Sequence, residues 1–375
     1  MSRHRAVGRP GTAGRRLRAV LLGVLALAPA GAFAEGDWLS QFWQDERVSV
    51  FLRTDYFGNS RLLDDRKDLW GDTFQLQARP SLGDVDGKLN LRVTDPDPFR
   101  GDAAAFDLVE GYVAFHLGPL DARVGKISVP WGRADGVNPT DNLTPHDYTL
   151  QLPFDEDLRE GLAALKLDYY LDEEMDLTVF TTPFFEPTKF PIPPSGNGTS
   201  YRVTLPGQTL RNEELGLKLN KTGGDWDWSA SYFHGFRTLP GLWLVSESAG
   251  ATVVGVGYDR VDVWGADFAH NLGPFGVRGE AAYGSPEKDP EGPPALVGPY
   301  FMAVLGVDRS FDQELNVNLQ VIGRFQAAPL AAPGTGAAGQ VARLNAIVNN
   351  QQDPQGYELS FRVGDKWMNE TLGAE

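Results

Sequence analysis

The chain lacks several features that define common protein classes. Its 375 residues include no cysteine, which excludes disulfide bonds, thiolate metal sites and a cysteine nucleophile. After residue 34 it has no apolar run of the roughly 18 residues that a membrane-spanning helix needs. It contains no Gly-x-Ser-x-Gly elbow, no His-Glu-x-x-His pair and no phosphate-binding glycine loop. The sequence therefore predicts that the protein is not an enzyme and has no catalytic residues, metal ligands or cofactor.

Basic residues are scarce outside the N-terminus. Residues 1–34 hold six arginines and no acid, and the apolar run AVLLGVLALA is followed by a small-residue end at Ala34. This order is typical of a secretory signal peptide, and we predict residues 1–34 to be one. The remainder has 28 basic and 50 acidic residues, a formal charge of −22. Because phosphate binding needs a basic surface, nucleic acid is not expected as a partner.

Apolar and polar residues alternate in segments along the whole chain. The clearest example is LNVNLQVIGRF, residues 315–325, and KLNLRVT (88–94) and YELSFRV (357–363) repeat the pattern. A period of two is typical of strands with one apolar and one polar face. A half-solvated soluble sheet shows the same pattern, so the alternation alone does not identify a membrane protein.

The links between these segments alternate strictly between short and long. The short links are 83–88, 118–121, 171–176, 221–227, 272–276 and 310–314, and the long links are 59–72, 95–107, 129–159, 183–212, 237–260, 285–299 and 326–356. Short turns at one end and long loops at the other are typical of transmembrane β-barrels. We therefore predict an all-β, antiparallel transmembrane β-barrel of about 14 strands over residues 47–367. We expect the sheet to close into a barrel, because an open sheet edge in the hydrocarbon of the membrane would leave backbone hydrogen-bonding groups unpaired.

Other segments flank or interrupt the predicted barrel. Residues 35–46 are predicted to form a short periplasmic segment, with a helix in GDWLSQFWQDER (36–47). The stretch AAGQVARLNAIVNN (337–350) is predicted to be a helix within a long loop. Residues 368–375 are either a tail or the start of a missing strand. The ending NETLGAE favours the second interpretation, because it resembles a turn that leads into a strand.

The long polar insertion at residues 129–159 carries clustered charge, and its four prolines stiffen it and prevent ladder pairing. Three interpretations are open: a loop folded into the lumen, a loop packed over the barrel mouth, or a calcium site at Asp135, Asn138 and Asp141. We favour the first. The predicted constriction-loop residues are Trp131, Arg133, Asp135, Asn138, Asp141, Asp147 and Arg159.

Arginines recur on the polar faces of the predicted strands. The predicted pore-lining residues are Arg53, Arg79, Arg92, Arg123, Glu110, Arg278, Glu280, Arg324 and Arg362. Guanidinium groups along a lumen would favour anions. The alternative is that these arginines pair with Asp55, Glu110, Glu280 and Glu358 and hold a polar interior together without selecting any solute.

Three stretches carry a family resemblance: VGKISVPWGRADGVNPTDNLTPHDYT (124–149), GADFAHNLG (265–273) and DKWMNETL (365–372). With them the chain resembles a poorly characterised family of Gram-negative outer-membrane, porin-like barrels, distantly akin to alginate-export barrels. The specific pieces are Trp-Gly-Arg-Ala-Asp and Asn-Pro-Thr-Asp-Asn-Leu-Thr-Pro. The resemblance implies the fold, a bacterial outer-membrane location, and membrane lipid and the outer-membrane assembly machinery as partners. It implies no solute and leaves homo-oligomers open.

These observations predict an outer-membrane channel that passes small polar solutes, with anions as the candidate class. Two alternatives stay open. The first is a structural barrel that sheaths a partner protein. The second is a rim hydrolase, which would have to use His146 or His234 beside a carboxylate or serine at the extracellular mouth.

Overall fold

The computed structural model describes ten stretches of the chain, and these are residues 48–58, 68–95, 105–150, 155–190, 198–248, 250–287, 296–311, 315–327, 334–367 and 372–374. The predicted signal peptide and the predicted helix at 36–47 lie outside them. The chain divides into two compact units. Unit 1 comprises residues 1–114 and 147–159, and unit 2 comprises residues 115–146 and 160–375.

Unit 1 is built from antiparallel strands and one helical turn. Its elements are β1 (Val48–Gly58), β2 (Asp68–Ala78), β3 (Ser81–Leu82), β4 (Val85–Asp95), most of β5 (Ala105–Leu117) and α1 (Asp155–Leu158). The order across its sheet is β1-β2-β4-β5, and β3 pairs with the start of β4. Each long strand therefore pairs with the next one along the chain.

Unit 2 continues the same strand pattern over a longer stretch. Its strands are β6 (Leu120–Ile127), β7 (Leu162–Tyr170), β8 (Met175–Thr182), β9 (Thr199–Val203), β10 (Glu214–Lys221), β11 (Trp226–Phe236), β12 (Gly241–Ser248), β13 (Ala251–Gly257), β14 (Arg260–Leu272), β15 (Phe275–Pro286), β16 (Tyr300–Phe311), β17 (Leu315–Gln326), β18 (Gln355–Trp367) and β19 (Leu372–Ala374). A short 3₁₀ helix covers Leu210–Asn212 and helix α2 covers Gly336–Val348. The order across its main sheet is β6-β7-β8-β10-β11-β14-β15-β16-β17-β18-β19.

The side chains of these strands are distributed in the opposite way to those of a soluble protein. Glu280 is 3% exposed and Gln320 is 1% exposed, whereas Leu52 is 65% exposed and Leu359 is 71% exposed. At these positions polar side chains are thus shielded and apolar side chains are exposed. Exposed apolar strand faces are stable when they contact lipid. The predicted all-β, antiparallel fold class is confirmed, whereas closure of the sheet into a barrel stays a prediction.

The predicted strand number and faces also agree with the structure. Apart from β9, β12 and β13 and the short β3 and β19, the described residues contain fourteen strands, each paired with its neighbours in the strand orders given above. On β17 the apolar Leu319 and Val321 are exposed while the polar Asn318 and Gln320 are buried, as the alternation predicts. The short strand β19 pairs antiparallel with β18, so the chain does turn back into a strand after Trp367.

Two of the predicted long loops contain a second sheet that the sequence analysis missed. Strands β12 and β13 pair antiparallel, and β9 joins β13 in parallel, within the links predicted at 183–212 and 237–260. Val254 and Val256 of β13 are buried, and helix α2 packs against β12 of the same sheet. The link lengths were predicted correctly, but the secondary structure within them was not.

Helix α2 confirms the prediction of a helix within a long loop. Val341 and Asn345 are buried on one side of it. The Asn345 side chain accepts the N–H of Leu242 at 2.9 Å and donates to the carbonyl of Leu296. Asn349, which follows the helix, donates to the carbonyl of Pro240 at 3.1 Å. These amides attach α2 to the second sheet. Within the described residues, no helix is long and apolar enough to cross a membrane.

Replacing Asn345 with alanine is expected to loosen the second sheet while leaving the main sheet intact. The change leaves the buried carbonyl of Leu296 without its partner, at a cost of about 1–3 kcal/mol, and also removes the acceptor of the half-buried N–H of Leu242. Amide hydrogen exchange should become faster in residues 241–257. The matched control is Arg343→Ala on the exposed side of the same helix, which should leave the exchange unchanged.

Candidate functional site

The candidate site is formed by the link between β6 and β7, which folds onto the polar face of unit 2. We call residues 128–146 the docked loop. Glu280 on β15, the most important contact, is buried and accepts hydrogen bonds from several loop donors. The Thr140 N–H and hydroxyl donate to Oε1 at 2.7 and 2.8 Å, and the Arg133 and Ala134 N–H groups donate to Oε2 at 3.1 Å. One carboxylate therefore binds two parts of the loop at once.

Two ion pairs fix the loop on either side of Glu280. The Arg133 guanidinium contacts Asp267 on β14 and donates to Asn220 Oδ1 on β10 at 2.6 Å. Arg278 on β15 donates to both carboxylate oxygens of Asp135 at 2.6 and 2.7 Å. Asp267 is almost fully shielded from solvent, so removing Arg133 would break a buried ion pair, which is strongly destabilising. Charges on the loop and on the strands are thus complementary.

Small residues let the loop backbone and side chains approach the sheet. Gly132 has a φ of +99°, which favours glycine, and a Cβ there would lie 2.3 Å from a Glu280 oxygen. A Cβ on Gly216 of β10 would lie 2.9 Å from the ring of Trp131. Trp131 is buried, and the Lys218 ammonium lies 5.9 Å from its ring centroid. The loop therefore has an apolar anchor as well as polar ones.

Two cavities of unit 2 are lined by opposite parts of the docked loop. The long-link cavity, of about 300 Å³, is lined by Asn138, Asp141 and Asn142 together with Arg237, Tyr300 and Arg324. The short-link cavity, of about 380 Å³, is lined by Trp131 together with Arg123, Lys166, Asp168, Asp176 and Lys218. The loop thus separates a cavity near the long links from one near the short turns.

The predicted pore-lining residues of unit 2 lie on polar strand faces, but most of them have acidic or carbonyl partners. Arg278 pairs with Asp135 rather than with Glu280. Arg324 on β17 contacts Glu358 and donates to the carbonyl of Asn350. The Arg123 guanidinium on β6 is 4.0 Å from Asp168. Arg362 lies on β18 and is exposed.

Two of the four predicted pore-lining residues in unit 1 contact α1. Arg53 on β1 donates to the Asp157 carboxylate at 2.6 Å, and Arg92 on β4 donates to the Asp157 carbonyl at 2.7 Å. Glu110 on β5 contacts Lys88. Arg79 follows β2 and is exposed rather than on a strand face.

Two of the predicted constriction-loop residues, Asp147 and Arg159, lie in unit 1 and outside the docked loop. Asp147 accepts a hydrogen bond from the Thr149 N–H at 3.0 Å within unit 1, and Arg159 directly follows α1. Asp141 lines the long-link cavity. Asp135 and Asn138, two of the three possible calcium ligands, are instead bonded to Arg278 and to the carbonyl of Ala134.

The sequence analysis missed several charged residues of the short-link cavity. Lys166 and Asp168 lie two residues apart on β7 and contact each other. Lys218 on β10 is 3.8 Å from Asp267. Period-two alternation in LAALKLDYY places Lys166 and Asp168 on the same face, so this signal was present in the sequence.

Comparison with known proteins gives a family. Residues 40–290 match the family described as protein of unknown function (DUF1302). The chain belongs to this family. The match covers β1 to β15 and includes the whole docked loop, so the DUF1302 segment contains the Glu280 contacts described above. No curated protein matches the chain.

Several solved structures resemble this DUF1302 protein. OmpT, an outer membrane protein of Vibrio cholerae, is 12% identical with a TM-score of 0.43, and the match covers 86% of this chain and 81% of OmpT. Pseudomonas putida OprB is 13% identical with a TM-score of 0.45, over 88% of both chains. The outer membrane channel DcaP of Acinetobacter baumannii is 10% identical with a TM-score of 0.42, over 86% of this chain and 87% of DcaP. These TM-scores are too low for a property of those proteins to be assigned to this one.

The location follows from the faces of the strands. Lipid-facing antiparallel strands with a polar opposite face are characteristic of the bacterial outer membrane. The DUF1302 protein has this arrangement in both units, with Leu52 exposed on β1 and Leu359 on β18. It is an outer-membrane protein.

Proposed function

We propose that the protein is a channel that passes small polar solutes along the polar face of unit 2, past the docked loop. The observation that supports this most directly is the binding of the loop to that face through Glu280. A loop held on the polar face narrows the path beside it, and narrow charged passages select solutes by size and charge. The two cavities on either side of the loop are the spaces from which a solute enters and leaves this passage.

We further propose a preference for anions, set in the short-link cavity. Arg123, Lys166 and Lys218 line this cavity, and so do Asp168 and Asp176. The cationic side chains that line this cavity therefore outnumber the acidic ones by one. The cations of this cavity also contact acids, since Arg123 and Lys166 lie beside Asp168, but they outnumber the acids that line it. Elsewhere on the polar face Arg278 binds Asp135 and Arg324 contacts Glu358, one acid for each arginine. That pairing supports the alternative role of arginine in holding a polar interior together, so the selectivity proposal is confined to this cavity.

Single-channel recording tests the channel proposal. The refolded protein, inserted in a planar bilayer, should give discrete conductance steps, and ion substitution should show a greater permeability to anions than to cations. Inserted, folded protein without conductance would overturn the channel and favour a barrel that sheaths a partner. Equal permeability to both ions would remove only the anion preference.

The double variant Arg123→Gln/Lys218→Gln is expected to lower the anion preference. A unit charge at about 4 Å contributes about 1 kcal/mol even in water, which corresponds to roughly a fivefold change in the permeability ratio. Reversal potentials in a salt gradient measure this ratio. The control is Lys221→Gln, which removes a positive charge at the end of β10 that is paired with Glu174 in the short turn. Unchanged reversal potentials in the double variant would contradict the assignment.

The rim hydrolase has one feature in its favour and one against it. His234 Nδ1 lies 2.9 Å from Asp262 Oδ1, within the hydrogen-bond reach that this alternative requires. However, both residues lie on the apolar face of their strands, together with the exposed Trp264, and not on the polar face that the loop contacts. We therefore do not propose hydrolysis.

A further inference from the structure

Three side chains from three neighbouring strands converge on the apolar face of unit 2. His234 on β11 is the register partner of Asp262 on β14, and Glu287 directly follows β15. All three lie at the end of the strands that carries the long links. None of them belongs to the docked loop or to either cavity that it lines.

A row of aromatic side chains places this cluster relative to the membrane. Tyr232, Trp264 and Tyr283 are successive register partners on the same face, with ring centroids 5.7 and 6.0 Å apart. Aromatic rows of this kind mark the boundary between lipid and water. His234 and Asp262 lie two residues beyond Tyr232 and Trp264, towards the long links. The cluster is therefore on the water side of this boundary, where an ion can reach it.

The spacing of the three groups suits a metal ion. One ligand atom from each residue lies within 4.8 Å of the others. His234 Nδ1 is 2.9 Å from Asp262 Oδ1 and 3.8 Å from Glu287 Oε1. Zinc bonds of 2.0–2.2 Å at tetrahedral angles place neighbouring ligand atoms about 3.4 Å apart. The observed separations lie on both sides of this value, so small side-chain shifts are enough to enclose an ion.

The surroundings also fit a metal site. The Tyr232 hydroxyl donates to Asp262 Oδ1 at 2.6 Å, and outer hydrogen bonds of this kind orient metal-binding carboxylates. Two carboxylates balance the charge of a divalent ion. The imidazole ligand favours zinc and similar transition metals over magnesium and calcium, which prefer oxygen ligands. In the described part of the chain, this is the only group of three such residues close enough to share an ion.

We propose that His234, Asp262 and Glu287 bind one divalent transition-metal ion of the zinc class at the outer boundary of the membrane. The ion joins β11, β14 and the end of β15, and it leaves one coordination position for water. The proposal does not depend on the channel function.

Zinc titration tests the site. The full-length protein is refolded in detergent micelles, treated with a chelator to remove bound metal, and then titrated with zinc. Isothermal calorimetry should show one zinc ion per chain, with magnesium unable to compete. His234→Ala and Asp262→Asn should each weaken binding by about tenfold or more. Cobalt(II) in the same site should give visible absorption bands that His234→Ala abolishes.

A second histidine–carboxylate pair provides the matched control. His116 Nδ1 lies 2.7 Å from Asp121 Oδ1 near a short turn, so His116→Ala removes an equivalent pair elsewhere. This variant should bind zinc like the unmodified protein. Wild-type affinity in a folded His234→Ala variant, or no zinc uptake by the unmodified protein, would overturn the proposal. Electrophoretic mobility before and after heating verifies that each variant is folded.

Discussion

Replacing Glu280 with glutamine is expected to raise the single-channel conductance by releasing the docked loop from the polar face. The carboxylate accepts from the N–H groups of Arg133, Ala134 and Thr140, and a glutamine would present an NH₂ group to some of these donors. At least two hydrogen bonds to a charged group are lost. The cost is about 3 kcal/mol, or roughly a hundredfold in the ratio of docked to released loop. The measurement is the conductance distribution in planar bilayers.

Glu174→Gln is the control for the loss of a negative charge. Glu174 is half exposed in the turn between β7 and β8, and it forms an ion pair with Lys221 at the end of β10. This variant should conduct like the unmodified protein. Thr140→Val removes only one side-chain donor to Glu280 and should give a smaller increase. A folded Glu280→Gln variant with unaltered conductance would show that the loop does not limit the path.

Local sequence patterns were sufficient to predict the strands and their faces. On β17 Leu319 and Val321 alternate with Asn318 and Gln320, and this alternation predicts directly which side chains share the apolar face and which share the polar face. Helix α2 was predictable for the same reason, because its apolar residues repeat at helical spacing. The three-stranded sheet was not, since β9 pairs in parallel with a strand about 50 residues later in the chain, and no local pattern records such a partner.

The candidate site could be predicted only in outline. The charge and the prolines of the insertion predicted a stiff, charged loop that folds into the lumen, and its residues Trp131, Arg133 and Asp135 contact the polar strand face. The partners could not be assigned, because Arg133 and Glu280 are 147 residues apart and meet only through the register of several strand pairs. The roles of these residues in conduction stay predictions.

Replacing Trp131 with alanine is expected to release the docked loop at its other anchor. The indole is buried against Gly216 of β10, where any side chain larger than hydrogen would collide with it. Removing a buried tryptophan costs about 3–5 kcal/mol, because the cavity that it leaves is only partly refilled. The loop should then become sensitive to protease between residues 128 and 146, and the conductance should rise as it does in Glu280→Gln.

The two loop anchors can be separated by combining the variants. Trp131 and Glu280 hold the same loop, so their effects should not be independent. The conductance of the Trp131→Ala/Glu280→Gln double variant should rise by a smaller factor than the product of the two single-variant factors. Trp264→Ala is the matched control, since Trp264 is exposed on the apolar face of β14 and does not face the loop. It should leave the protease resistance of residues 128–146 unchanged. If Trp131→Ala also leaves it unchanged, the polar contacts of Glu280 and Arg133 alone hold the loop on the sheet.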